Sequence, residues 1–86
     1  MRSQHPDAPD AVERQLEREI NEVRGAIEMV ATGRATAISI TGLRFGESLL
    51  EQLGPIAAER RVVLEPRWWP ADSGCDLVVR RDVPEA

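Results

Sequence analysis

The spacing of apolar residues changes along this chain from a helical period to a strand period and back, and this order constrains the fold most. We expect the first helix to begin at Asp10, which forms a capping-box pattern with Glu13, and to end near Gly33. Gly25 inside it predicts a close approach, either of the chain's own sheet or of a partner helix. The apolar stripe of this helix consists of Val12, Leu16, Ile20, Val23, Ile27 and Val30.

The remaining segments predict a second helix between short strands. Residues 35–41 alternate between apolar and polar positions, which indicates the first strand. The second helix is expected to bend at Gly54-Pro55 without ending there. Residues 61–69 and 75–81 are rich in valine, leucine and tryptophan and flank a turn-forming segment, which indicates a hairpin. The stripe of the second helix consists of Phe45, Leu49, Leu53 and Ile56.

The order helix, strand, helix, strand, strand (α-β-α-β-β) predicts an α+β fold, a two-layer α/β sandwich. The first two strands run parallel if they share a sheet, and the third runs antiparallel to them. Pro66 cannot donate to a hydrogen-bond ladder, so the second strand is expected at an edge. We therefore predict a three-stranded mixed sheet in the order 1-3-2, with two helices on one face.

At the level of topology alone, this arrangement resembles the later part of two kinds of domain. These are the C-terminal domain of translation initiation factor 3 and the Alba chromatin proteins. Such domains begin with an additional strand beside the first strand, and they carry basic loops, neither of which this acidic chain has. The resemblance implies a fold rather than a function.

Composition places these elements in one small globular domain. The 86 residues are 42% hydrophobic and 30% charged, which argues against wholesale disorder. We expect a disordered N-terminal tail at 1–9, a single α/β domain at 10–82 and a frayed C-terminus at 83–86. With no membrane-length apolar run and no signal-peptide pattern, the expected location is cytoplasmic, without membrane association. A single cysteine, Cys75, agrees with a reducing compartment.

Catalytic, metal and cofactor sites are not expected. His5 is the only histidine and falls in the predicted tail, so Cys75 has no evident imidazole partner to activate it. Glu47 and Glu51 lie one helical turn apart, a spacing more typical of a solvated face than of a metal site. We therefore predict a protein that is not an enzyme and needs no cofactor.

The segment that joins the first strand to the second helix is a candidate anion or nucleotide pocket. Gly42, Arg44 and Gly46 lie where backbone N–H groups and the helix dipole favour an anion. The two glycines match neither a Walker A motif nor a dinucleotide fingerprint. A plain turn is the favoured interpretation of this loop, and the pocket is the minor one.

Alternation places a mixed set of polar and aromatic side chains on the sheet face turned away from the helices. Tryptophan and arginine are frequent in protein interfaces, so we predict a protein-binding patch there. One alternative is weak binding of single-stranded nucleic acid by Arg44, Arg67, Arg80 and an exposed tryptophan, which the net charge of -4 disfavours. Another is that Trp68 and Trp69 only cap the core. The predicted patch consists of Glu65, Arg67, Trp69, Asp76 and Arg80.

The first strand is also expected to have a free edge, because neither proline nor an inserted charge protects it. Antiparallel pairing of two copies would give a continuous six-stranded sheet and a two-fold homodimer. The alternative is that the tail or the first helix covers this edge within one copy. The sequence thus predicts a small interaction module that self-associates and binds an unidentified protein partner. The predicted dimer edge consists of Ala37, Ser39 and Thr41.

Overall fold

The computed structural model describes residues 8–70 and 74–82, and side chains from residue 11 onward within those ranges. It confirms the predicted order of two helices and three strands. Residues 1–7 of the tail predicted at 1–9, the middle of the hairpin turn at 71–73 and the predicted frayed end at 83–86 lie outside the described residues, whereas residues 8 and 9 belong to the first helix. The elements are α1 (Ala8–Ala31), β1 (Ala37–Leu43), α2 (Gly46–Glu59), β2 (Val62–Trp68) and β3 (Cys75–Arg81).

The three strands form one sheet in the predicted order β1-β3-β2, but the sheet is antiparallel throughout. The prediction of a mixed sheet is therefore wrong. β1 and β2 do run in the same direction, since each is antiparallel to β3. Because β3 lies between them, every hydrogen-bonded pair of neighbours is antiparallel. Val79 of β3 marks the centre, opposite Ile38 on one side and Leu64 on the other.

Both helices pack on one face of this sheet and form a single core with it. Alternate residues of each strand point toward the helices, as expected from the two-residue period of a strand. The continuous path of α2 through Pro55 confirms that the helix does not end there. The buried apolar residues are Val23, Ala26, Ile27 and Val30 of α1, Leu49, Leu53 and Ala57 of α2, and Ile40, Leu43, Val62, Cys75, Leu77 and Val79 of the sheet.

Two residues of the predicted apolar stripes are exposed. α1 begins at Ala8, so Asp10 lies inside the helix rather than at its N-cap. The 24 residues of α1 span about 36 Å, longer than a seven-residue strand, so its first turns extend beyond the sheet and Val12 is 48% exposed. On α2, Ala57 continues the buried row four residues after Leu53, and Ile56 is 41% exposed.

Gly25 does not mark a close approach to the sheet. The residue is exposed, and a Cβ built on it meets no atom within 4 Å among its neighbours outside the helix backbone. The prediction that the chain's own sheet packs close to this glycine is therefore wrong. Gly25 lies on the side of α1 away from the core, where it lowers the stability of the helix.

Candidate functional site

The sheet face opposite the helices gathers the residues of the predicted patch. Val62, Leu64 and their alternating neighbours on β3 point toward the core, which turns the intervening residues to the other side. On that side Arg67 lies opposite Asp76, and Glu65 and Arg80 occupy neighbouring positions. Within residues 8–70 and 74–82, no helix packs against this side, so we call it the open face.

Three hydrogen bonds hold the acidic side chains of the open face. Arg80 Nη2 donates to Glu65 Oε2 at 3.0 Å, and this hydrogen bond, together with the arginine charge, lowers the pKa of Glu65. Trp69 Nε1 donates to Asp76 Oδ1 at 3.3 Å. The same oxygen accepts the backbone N–H of Gly42 at 3.1 Å. The open face therefore carries two acidic side chains, Glu65 and Asp76, each held in place by hydrogen bonds, and its charge is not of one sign.

The two tryptophans lie on opposite sides of the end of β2. Trp68 points to the helix side, where an ideal Cβ on Gly46 would lie 2.8 Å from its ring, and 45% of the residue is exposed. Trp69 is partly buried and is held by its hydrogen bond to Asp76. The more exposed tryptophan thus lies beside the start of α2 and does not belong to the open face.

The arginines of the nucleic-acid alternative do not converge on one surface. Arg44 lines a shallow depression beside the start of α1, together with Val12 and Phe45. Arg80 lies on the open face and is paired with Glu65. A single strand of nucleic acid needs positive charge along its path and a stacking ring beside it. Arg67 shares the open face with Arg80 and Trp69, so two of the three arginines lie on the same side as a tryptophan ring, whereas Arg44 lies apart from them.

The predicted anion site is occupied from within the protein by Glu19 of α1. This carboxylate is 2% exposed and accepts the backbone N–H of Arg44 at 3.0 and 2.9 Å and that of Phe45 at 3.1 Å. Gln15 Nε2 donates to it at 2.7 Å. Phe45 at the N-cap of α2 makes no side-chain cap hydrogen bond, and Glu19 accepts from the backbone N–H groups of Phe45 and of the residue before it, which fixes the entry into the helix and places a negative charge near its N-terminus. Any external anion would have to displace this carboxylate or bind elsewhere in the loop.

Sequence reasoning missed Glu19, although a signal was present. The residue lies within the apolar stripe, directly before Ile20 and midway between Leu16 and Val23. An acid on the core side of an amphipathic helix must be paired or accept hydrogen bonds, because burying an uncompensated charge is costly. That position predicts a buried acceptor, but not which donors it meets.

Gly46 and Cys75 form a tight contact beneath the anion-site loop. A Cβ on Gly46 would lie 2.7 Å from Cys75 Sγ, closer than a side chain tolerates. Cys75 is 1% exposed, and burial raises the pKa of its thiol, with the negative charges of Asp76 and Glu19 adding to the effect. Such a thiol is a poor nucleophile because little of it is ionised near neutral pH.

The edge of β1 lies across the sheet from β2. Among the described strands, β1 pairs only with β3, and the residues of the predicted dimer edge are exposed. Regular pairing runs from Ala37 to Ile40, and a bulge follows before Leu43. Gly42 within it has a φ of +77°. At the start of β1 a groove of about 510 Å³ is lined by Gly33, Ala35, Thr36, Ala37, Arg80 and Arg81.

Arg81 closes the end of α1 that borders this groove. Its Nη2 donates to the carbonyl oxygens of Val30 at 3.2 Å and Ala31 at 3.3 Å. A positive side chain at a helix C-terminus also complements the helix dipole. Each helix therefore has one end stabilised by a charged residue from another element.

The described ranges contain no cluster of three or more metal-binding side chains and no helix long and apolar enough to cross a membrane. In comparisons with known proteins, no family model matches the chain, and no curated protein or solved structure matches it significantly. The free edge of β1 and the open face are therefore the features from which a function is inferred.

Proposed function

We propose that this protein is a small interaction module that pairs with a second copy of itself through β1 and presents its open face to a protein partner. The observation that carries the proposal is the edge of β1, which is not covered by any other described strand. Its exposed side chains, Ala37, Ser39 and Thr41, are small and uncharged.

An edge strand presents a row of backbone N–H and C=O groups that can pair with another strand. The other edge of this sheet, β2, is protected by Pro66 in its interior and by the charges of Glu65 and Arg67. On β1, only the bulge after Ile40 interrupts the strand. The asymmetry favours β1 as the edge through which the protein associates.

The open face supports the second part of the proposal. It combines Arg67 and Trp69, of residue types that often dominate interface energies, with the polar contacts of Asp76 and Glu65. A surface that combines arginine, tryptophan and acids suits another protein better than an acidic polymer, because the whole chain has a net charge of -4. The proposal places the protein in the cytoplasm and gives it no catalytic role, in agreement with the buried thiol of Cys75.

The test is the mass in solution, measured by size-exclusion chromatography with light scattering over roughly a hundredfold range of concentration. The wild-type chain is expected to approach twice its monomer mass of 9.6 kDa as concentration rises. Ser39→Glu places like charges near each other across the new strand pair and should hold the protein at the monomer mass.

Gln52→Glu is the matched control, since it adds the same charge at an exposed position of α2. It should leave association unchanged. Thermal unfolding of both variants checks that each is folded. A wild-type chain that keeps the monomer mass at every concentration would refute self-association through β1.

A further inference from the structure

We infer that the second copy pairs with β1 about a two-fold axis through Ser39, so that Ile38 of each copy lies opposite Ile40 of the other. This inference rests on the proposed function and goes beyond it, because it fixes the register of the pair. The register decides which side chains meet across the axis and how the two open faces join.

Symmetry restricts the position of the axis. Two identical edge strands that pair antiparallel are related by a two-fold axis perpendicular to the sheet. Such an axis keeps the helices of both copies on the same side, so helix-facing residues must lie opposite helix-facing residues. Along the strand, the axis is therefore level with one residue and not with the gap between two neighbours. It lies midway between the two copies of that residue, and we name each candidate axis by it. In the regular part of β1 the inner candidates are Ile38, Ser39 and Ile40.

The bounds of β1 and its bulge select among these three positions. An axis through Ile38 pairs only three residues of the strand, because β1 begins at Ala37. An axis through Ile40 brings the bulge of both copies into the paired segment. An axis through Ser39 pairs Ala37 with Thr41 and gives five residues, about 17 Å of strand, of which only Thr41 lies beyond the regularly paired segment.

The apolar side of the pair agrees with this choice. Ile38 is only partly buried although it packs against the core, whereas Ile40 is 5% exposed. Placing the second copy's Ile40 beside Ile38 extends the core across the axis and covers the exposed part of Ile38. Removing apolar surface from water in this way favours association.

Disulfide trapping tests the register. Ser39→Cys, Ala37→Cys and Thr41→Cys are prepared in the full chain, and each is oxidised mildly and separated on a non-reducing gel. The native Cys75 is buried, and the wild-type chain measures its background. Residues directly opposite across a strand pair have Cβ atoms about 5 Å apart, close enough for a disulfide after a small adjustment.

Ser39→Cys should form a covalent dimer with itself at least about tenfold faster than wild type. Ala37→Cys and Thr41→Cys should each stay near the wild-type rate, because the two copies of either residue lie about 14 Å apart. An equal mixture of these two variants should form the mixed dimer.

The outcomes separate the two proposals. A wild-type chain that dimerises by mass, with Ser39→Cys at the background rate or another variant linking to itself fastest, would overturn the register and leave the proposed function standing. A wild-type chain that stays monomeric by mass, with no variant linking above background, would overturn both.

Discussion

Removing the buried carboxylate of Glu19 is the sharpest test of how this fold is held together. The carboxylate accepts backbone N–H groups of Arg44 and Phe45, which precede α2, and also the amide of Gln15. Glu19→Ala removes the acceptor of those two backbone donors, whose hydrogen bonds to the carboxylate are partly buried. The substitution therefore acts on the join between α1 and α2 and not on the apolar core itself.

The size of the effect follows from the hydrogen bonds that are lost. A hydrogen bond to a charged group contributes about 1.5 to 3 kcal/mol, and an acid near a helix N-terminus contributes about 0.3 to 1 kcal/mol. Relief of the carboxylate's own burial offsets part of this loss. We expect Glu19→Ala to lower the free energy of unfolding by about 2 to 3 kcal/mol. For a domain of this size that corresponds to a fall in melting temperature of roughly 10 to 20 °C.

Urea unfolding followed by tryptophan fluorescence measures this change, at one fixed protein concentration because association would shift the midpoint. Glu17→Ala removes an exposed acid from the same helix and should change stability by no more than about 0.5 kcal/mol. Glu19→Gln keeps the volume and one acceptor oxygen, and should fall between the two. If Glu19→Ala costs no more than Glu17→Ala, the carboxylate does not hold the N-terminus of α2.

Three further changes test other contacts. Gly25→Ala should raise the free energy of unfolding by about 0.5 to 1 kcal/mol, because the helix is favoured and nothing lies within 4 Å of the new Cβ; a loss of stability would contradict the exposed placement. Gly46→Ala should lower it by about 1 to 3 kcal/mol in the same urea assay, since the Cβ would lie within 3 Å of both Cys75 Sγ and a tryptophan ring; a neutral result would show that these groups move aside easily. Burial raises the pKa of the Cys75 thiol in the folded protein, and the negative charges of Asp76 and Glu19 add to this effect. As the pH rises, the thiol therefore ionises in the unfolded chain before it ionises in the folded one. Stability from this source is complete below the unfolded pKa of about 8.5 and is lost as pH rises through the higher folded value. Cys75→Ala should remove that alkaline slope, and an unchanged slope would assign it to another group.

The order of the elements could be read from local patterns, because each pattern belongs to one segment of chain. Apolar spacing revealed both helices, alternation revealed β1, and Pro66 placed β2 at an edge, which put β3 in the centre. The antiparallel character of the whole sheet was already implied by that order. The prediction of a mixed sheet took account only of the shared direction of β1 and β2. It did not take account of β3, which separates them and is antiparallel to both.

The same alternation grouped Glu65, Arg67, Asp76 and Arg80 on one face, since a strand turns successive side chains to opposite sides whatever lies beyond it. Trp69 follows the last residue of β2 and was placed correctly only because the alternation continues one residue further. Local pattern was sufficient for these positions.

Contacts between distant segments were decided only by the tertiary structure. The meeting of Glu19 with Arg44 and Phe45 joins residues 25 and 26 positions apart, and Arg81 reaches the end of α1 across about 50 positions. The exposure of Val12 depends on how far α1 extends beyond the sheet. By itself the sequence determined the period of each segment and therefore its type and its buried side. The folded chain decided which buried side meets which, because a helix end or an acid on an apolar stripe accepts any partner that the packing of the core brings within reach.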